Sequence, residues 1–386
     1  MKRNYILFDT PARDLLYPFT HTRPVAACRT GILTIREKWE RWLNAGTSYL
    51  TVTHLQQKYP LYNPGEPAVN VLISGHLLPD ATLTEAVREL KVGQSLYKDD
   101  YLLAKAVEGT DPEEAGEKVG YEGPVKILSM PWEIFLWNDQ AIRDDFKLLT
   151  AGRISAPIPA SNRVTAPENI FIEEGAVVEH SILNAATGPI YIGKEAEVME
   201  GCLVRGPLAL GQKAVLKMGT RVYGATTLGP YSVGGGEIKN VVMFGYSNKG
   251  HDGYLGDAVL GEWCNLGANT TCSNLKNNGS AVRIWIEALK ETRPAGQKCG
   301  VLMGDYSRCG VGTILNTGTV IGVSCNIFGG DFPPKFVPSF SWGGANVLEP
   351  YRLDEALKDA AVWMRFKGQE LGEAEASLLK TVFESV

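Results

Sequence analysis

The chain has 386 residues, with 38 Lys and Arg against 43 Asp and Glu for a formal net charge of −5. That length allows two or three domains, and the near-balanced charge argues against a general attraction to nucleic acid or to an anionic membrane. No apolar run reaches membrane-spanning length, and the opening Met1-Lys2-Arg3-Asn4-Tyr5-Ile6-Leu7-Phe8-Asp9 is too short and too soon acidic for a signal peptide, so a cytoplasmic protein is expected.

The seven cysteines, at 28, 202, 264, 272, 299, 309 and 325, include no C-x-x-C pair. Their odd number and scatter fit reduced, mostly buried thiols better than a disulfide framework or a structural zinc site.

Residues 1–150 read as an α/β domain. Tyr5-Ile-Leu-Phe8 is a short apolar strand, and after Gly31 the run Ile32 to Leu43 has helical spacing, with Ile32, Ile35, Trp39 and Leu43 near one face. Tyr49 to Thr53 and Ala68 to Ser74 read as further strands, and the alternation predicts a mainly parallel sheet. Lys91 to Met130 is polar and uneven. Pro131 to Phe146 reads as one amphipathic helix that bridges to the next domain, and Arg153 to Ala160 is a proline-broken linker.

The loop after the first strand carries Arg13, Arg23 and Arg29, which suit a phosphate or carboxylate ligand and equally suit surface ion pairs. Leu16-Tyr-Pro-Phe-Thr20 in that loop resembles part of the signature of sugar-1-phosphate nucleotidyltransferases, with Arg23-Pro24 where that family has Pro-Lys. The family's glycine-rich loop is replaced by Asp9-Thr-Pro-Ala-Arg13, which offers phosphates fewer backbone N–H donors. The resemblance implies nucleotide binding by Arg13 and Arg23 and a Mg²⁺ site for which Asp9 is the candidate ligand.

Residues 155–345 carry an internal period. Stepping by six from Ile192 gives Val198, Val204, Leu210, Leu216, Val222 and Leu228, with glycine following at Gly193, Gly211 and Gly229. Each unit is a flat strand and a tight turn, three units make a triangular coil, and stacked coils bury an aliphatic column that no single repeat could bury. This is the hexapeptide pattern of the left-handed parallel β-helix, an exception to the right-handed crossover rule. The period specifies a solenoid and no chemistry.

Within the coil, Glu237 to Asn274 concentrates basic, imidazole, phenol and amide side chains among glycines. Glu237-Ile-Lys239-Asn240, Lys249-Gly-His251-Asp-Gly-Tyr254-Leu-Gly-Asp257-Ala258, Asn265-Leu-Gly-Ala268-Asn-Thr270 and Cys272-Ser-Asn274 resemble, in content and in spacing, the acetyltransferase domain of the bifunctional N-acetylglucosamine-1-phosphate uridylyltransferase/glucosamine-1-phosphate acetyltransferase family. The chain looks like a shortened, divergent branch of it.

The resemblance implies that His251 is the general base toward a sugar amine, a task that suits an imidazole. It implies that Arg221, Lys239 and Tyr254 hold the sugar phosphate, and that Asn265 and Asn274 orient the base and substrate. It also implies that the backbone at Ala268 faces acetyl-CoA. It further implies a homotrimer with acyl sites between neighbouring coils, and small sugar phosphates and CoA as partners.

Taken singly, Arg221 and Lys239 are solvated charges and the two asparagines suit left-handed turn positions. His21, His54, His76 and His180 have no such context. Lys276 comes earlier than the family's further lysine, with Ser280 at the strict offset, and the excursion from Val282 to Gln297 suits a cover for the cofactor groove or a contact with a neighbouring subunit.

Residues 346–386 read as a helical tail, with Leu353, Ala356, Leu357 and Ala360 and then Leu378, Leu379 and Val382 on apolar faces. The aromatic, proline-rich stretch 332–344 before it reads as a loop capping the coil, with adenine binding as the other possibility. Two other functions stay open: sugar-1-phosphate nucleotidyl transfer from UTP or dTTP by the N-terminal domain, and a non-catalytic scaffold trimer.

Overall fold

The computed structural model describes residues 3–62 and 69–386. Ala68, placed above at the start of a strand, and Met1-Lys2 lie outside the described residues.

The N-terminal domain is a six-stranded sheet with helices on it. Arg3–Phe8 lies between Thr47–Leu50 and Val69–Ser74, parallel to both. Tyr101–Val107 then pairs antiparallel with Val69–Ser74 and with Gln94–Lys98, which is parallel to Glu117–Gly120. Five of the six strands therefore run the same way and only Tyr101–Val107 runs against them, so the sheet is mainly parallel, as expected, with one antiparallel strand. Its second half lies in the stretch that reads as featureless from sequence, where Asp99, in the left-handed region at φ 52°, turns one strand directly back on the next.

The first long helix runs Ile35–Leu43, three residues later than Ile32, because the Thr34 hydroxyl accepts from the Glu37 N–H while the Glu37 carboxylate accepts from the Thr34 N–H. The strand expected at Tyr49 to Thr53 ends at Leu50, and Thr53–Gln56 is a helical turn. The single bridging helix is two, Glu133–Leu136 and Asn138–Thr150, broken at Trp137.

The period of six organises the coil as expected. Ile192, Val198, Val204, Leu210, Leu216, Val222 and Leu228 are all buried in one aliphatic column, and their strands stack in parallel on the coil above and below. The coil has three faces, entered in turn along the chain. One carries Arg221–Tyr223 and the starts of Glu237–Gly245 and Tyr254–Glu262. The next carries Thr226–Leu228 and the second halves of those two long strands. The third carries Val233–Gly234, Asn248–Lys249, Asn265–Leu266 and Arg308–Cys309. At one corner the left-handed positions that usually take Gly or Asn are filled by Tyr231, Tyr246, Trp263 and Tyr306, whose rings stack along the coil at 5.0, 4.2 and 6.5 Å.

The second face is covered by the N-terminal domain, and Val242, Phe244, Val259, Leu302 and Val320 join its core. Polar groups fix this contact. Asn138 accepts from the Gly31 N–H at 2.7 Å and the Thr227 hydroxyl at 3.0 Å, and donates to the Ala225 carbonyl at 2.9 Å. Asp145, fully buried, accepts from the Ile32 and Leu33 N–H groups and from Lys38.

The excursion is an antiparallel hairpin, Arg283–Ile286 against Glu291–Pro294. Val282, Ile284, Ile286 and Ala295 are buried in the N-terminal core, and Glu287 sits 3.2 Å from His21. Its aliphatic side packs on the N-terminal core beside the signature loop, while Arg283 and Glu291 to Arg293 on its other side stay exposed.

Residues 332–344 form the last turn of the coil rather than a loop, with Phe336–Val337 and Ser341–Gly343 in parallel register with the preceding strands. The tail helices, Leu353–Arg365 and Glu373–Ser385, pack against Trp263, Tyr306, Val323 and Phe340. All seven cysteines are buried and free. Among the described residues no helix is long and apolar enough to cross a membrane.

Candidate active site

The exposed first face of the coil collects the polar residues of the central stretch. Parallel register sets Arg221 beside Glu237 and Glu237 beside Tyr254, and likewise Tyr223 beside Lys239 and Lys239 beside Gly256. Within a flat stack, side chains two strands apart are separated by roughly 9.6 Å. The Tyr223 hydroxyl donates to Glu237 at 2.6 Å, the Arg221 guanidinium lies 3.9 Å from the same carboxylate, and the Lys239 ammonium sits 6.0 Å from the Tyr223 ring centre.

Behind this row Asp257 is buried and in the left-handed region at φ 47°. It accepts from Asn240 at 2.8 Å and from Asn274, whose amide also donates to the Tyr254 hydroxyl at 3.0 Å. Burial, with Asp257 close by, raises the Tyr254 phenol above its usual range and keeps it protonated.

His251 is exposed on the turn that leads from Asn248–Lys249 to Tyr254. That turn lies directly under Gly235, where any Cβ would meet the Gly250 and His251 backbone. Gly253 follows at φ 115° with its α-carbon against the Thr270 carbonyl, a conformation and a clearance only glycine permits. Lys249, 1% exposed, points back beneath the turn and donates to the carbonyls of Gly235 and Asp252, each at 3.2 Å, and of His251. Burial pushes its ammonium down to about 8.

Arg221, Lys239, Tyr254 and Asn274 are thus on one face, with His251 on the turn at its edge. Asn265 is not with them. It lies on the third face, in register with Asn248 and Arg308, beside the tail loop where Lys367 donates to Asn248 at 2.8 Å. Ala268 lies at the corner beyond it, its carbonyl accepting from Gly312 at 2.7 Å. Lys276 donates to the Ala281 carbonyl at 2.7 Å just before the excursion. Sequence reading gave no role to Asp257, Lys249, Glu237 or Tyr223. The signal was present for Asp257 and Lys249, charged residues set between aliphatic positions of a coil.

The N-terminal candidates are placed otherwise than expected. Arg23, 2% exposed, meets Asp305 and, at 3.4 Å, Glu262, with its guanidinium 4.8 Å from the Phe244 ring centre. Arg13 is buried against Asp9 at 3.3 Å, Asp14 at 3.0 Å and the Thr20 carbonyl. Asp9 already accepts from Thr51 at 2.5 Å, from the Val25 N–H at 2.9 Å and from Arg13. With an arginine beside it and both oxygens engaged, this donor set does not fit Mg²⁺. No group of three or more His, Cys, Asp or Glu suited to a metal ion occurs among the described residues. Arg23 thus ties the loop to the coil through Asp305 and Glu262, while Arg13 and Asp9 pair within the N-terminal domain, as burial requires each charge to have a partner.

These features define a two-part chain: a nucleotidyltransferase-like domain docked on a hexapeptide coil that bears a polar, imidazole-edged face. Residues 5–154 match the sugar nucleotidyl transferase family, and a larger part of the chain is similar to bifunctional proteins of the GlmU kind. It is 25% identical over 284 residues to "Bifunctional protein GlmU" of Methanocaldococcus jannaschii, a match covering 71% of this chain and 59% of that protein. It is 30% identical over 94 residues to the "Bifunctional sugar-1-phosphate nucleotidylyltransferase/acetyltransferase" of Sulfurisphaera tokodaii, covering 24% and 23%. The chain thus spans somewhat over half the length of the first of these. A solved structure, "UDP-N-acetylglucosamine acyltransferase from Campylobacter jejuni", aligns over 58% of this chain and 90% of its own, at 16% identity and a TM-score of 0.30.

Proposed function

We propose that the chain is an acetyl-CoA-dependent N-acetyltransferase acting on an amino-sugar phosphate of the glucosamine-1-phosphate kind. The observation that carries this reading is the convergence of Arg221, Lys239, Tyr254 and Asn274 on one open face with His251 at its edge. Arg221 and Lys239 supply charge for a phosphate. The Tyr254 hydroxyl, held by Asn274 and kept protonated, donates to a sugar oxygen.

His251 takes the proton from the amine as its nitrogen attacks the thioester carbonyl. The C–N bond forms, the C–S bond breaks, and CoA leaves as the thiol after taking up a proton. Asn265, on another face of the same coil, reaches such a site only from a neighbouring chain, and the reading includes a homotrimer with sites between coils, whereas Ala268 lies at the same corner as His251 on the next coil. Turnover of acetyl-CoA in the presence of an amino-sugar phosphate tests the reading, and sedimentation of a monomer at working concentration would count against the shared site.

A second reading is sugar-1-phosphate nucleotidyl transfer from UTP or dTTP, and the family match over residues 5–154 favours it. Such an activity would need Arg13, Arg23 and Asp9 released from the partners that engage them within the chain, or other groups in their place. A non-catalytic scaffold gives no account of the Asn274 amide shared between the buried Asp257 and the half-buried Tyr254.

A further inference from the structure

The polar face continues past the residues that a sugar phosphate would use. Arg221 and Glu237 form one end of an open groove of about 640 Å³ whose other end, away from His251, is lined by Leu203, Arg205 and Ile182. Ile182, Leu203 and Arg221 occupy one column of successive strands, and Asn184, Arg205 and Tyr223 the next.

A ligand with its amine near His251 and its phosphate at Arg221 fills only the near end. Beyond it lie a second arginine and two apolar side chains left open, Ile182 at 46% and Leu203 at 47% exposed. Arg205 has no ion-pair partner among the described residues, whereas the carboxylates that line the groove are both engaged. Asp139 pairs with Arg143 at 2.6 Å, and Glu237 accepts from Tyr223 and lies 3.9 Å from Arg221.

Strand geometry sets the Arg205 and Arg221 α-carbons roughly 8 Å apart, one strand over and two residues along. Two flexible guanidinium groups from that spacing can converge on two linked phosphates. A small, mostly apolar pocket with a few polar anchors is the ordinary form of a ligand site.

We propose that the groove takes a nucleoside diphosphate, so that the acceptor is a nucleotide-linked amino sugar rather than a free sugar phosphate. Arg221 and Arg205 hold the two phosphates, and the base lies on Leu203 and Ile182. This extends the acyltransferase reading, from which it takes the placement of the amine at His251 and the first phosphate at Arg221.

Calorimetric titration of the full chain without acetyl-CoA tests it, using uridine diphosphate, uridine monophosphate and inorganic phosphate as probes. The diphosphate is expected to bind at least tenfold tighter than phosphate, by the order of magnitude of one added charge-assisted contact. Arg205→Gln should remove about tenfold of that affinity and leave phosphate binding unchanged. Leu203→Asp, an exposed position, should weaken both nucleotides while the melting temperature holds.

Diphosphate binding no tighter than phosphate overturns the proposal, as does binding that survives Arg205→Gln and Arg221→Gln, since the ligand is then elsewhere. Acetyl transfer separates the two levels. Equal kcat/KM toward glucosamine-1-phosphate and its nucleotide-linked form, unaffected by Arg205→Gln, sinks the extension and keeps the acyltransferase. Diphosphate binding as predicted with no acetyl transfer keeps the groove and sinks the acyltransferase.

Discussion

Arg23 offers a sharp test of what the N-terminal signature loop does. If it holds nucleotide phosphates, Arg23→Met should leave the fold intact and abolish nucleotide binding. The structure leads to the opposite expectation. The Arg23 side chain is almost wholly desolvated between Asp305, itself 1% exposed, and Glu262. Removing one partner of such a buried pair costs about 3–5 kcal/mol, mostly because the other charge is left behind.

Asp305 keeps two acceptor bonds in the variant, from the Thr22 hydroxyl at 2.7 Å and the Glu262 N–H at 2.8 Å. These bring the expected loss toward the lower end, about 3 kcal/mol. The arginine–Phe244 contact adds to the loss without adding in full. Urea unfolding followed by tryptophan fluorescence reads the change. The double variant Arg23→Met/Asp305→Leu should recover at least about 1 kcal/mol of it, since no buried charge then lacks its partner. A loss below about 1 kcal/mol for Arg23→Met, with no recovery in the double variant, would mean that the loop is solvated and its arginine available to a ligand.

Asp145→Asn, which leaves Lys38 buried without its carboxylate, should destabilise by about 3 kcal/mol, and limited proteolysis within residues 151–162 should accelerate. Asn274→Ala removes the donor shared by Tyr254 and Asp257, and acetyl transfer kcat/KM is expected to fall about tenfold with the fold intact by circular dichroism. Lys249→Met frees the turn that carries His251, and steady-state kinetics should show kcat falling more than KM rises. Lys249 also predicts a pH effect. Its folded value of about 8 lies below the unfolded value, so the cost of its buried charge is present in full below about pH 8. That cost is relieved as pH rises toward about 10, and over this window wild type should gain stability relative to Lys249→Met in urea titrations.

The coil was legible because a period of six in aliphatic residues has one physical solution: every Ile192-to-Leu228 position is inward, and the sequence states that directly. The tail helices were legible for the same reason, from the spacing of Ala356 and Ala360 and of Leu378 and Val382. The two-stranded turn at Asp99 was not, since it depends on a left-handed aspartate that sequence gives no reason to expect. Nor was the fate of Arg13 and Arg23. Their carboxylates come from Asp9 four residues away and from Asp305, 282 residues away, and only the docking of the domain on the coil brings Asp305 to Arg23. The face holding Arg221, Lys239 and Tyr254 could be anticipated from strand register, whereas Asn265 falls on another face because eleven residues after Tyr254 is neither one coil nor none.

The central claim is that His251 serves acetyl transfer on this face. Release of free CoA from acetyl-CoA with glucosamine-1-phosphate and with its nucleotide-linked form, in wild type and in His251→Ala, tests it most directly. The account predicts turnover in wild type with at least one of the two acceptors and a loss of about two to four orders of magnitude in the variant, the contribution of a general base. Equal rates in wild type and variant, or no turnover in wild type with either acceptor, would contradict it.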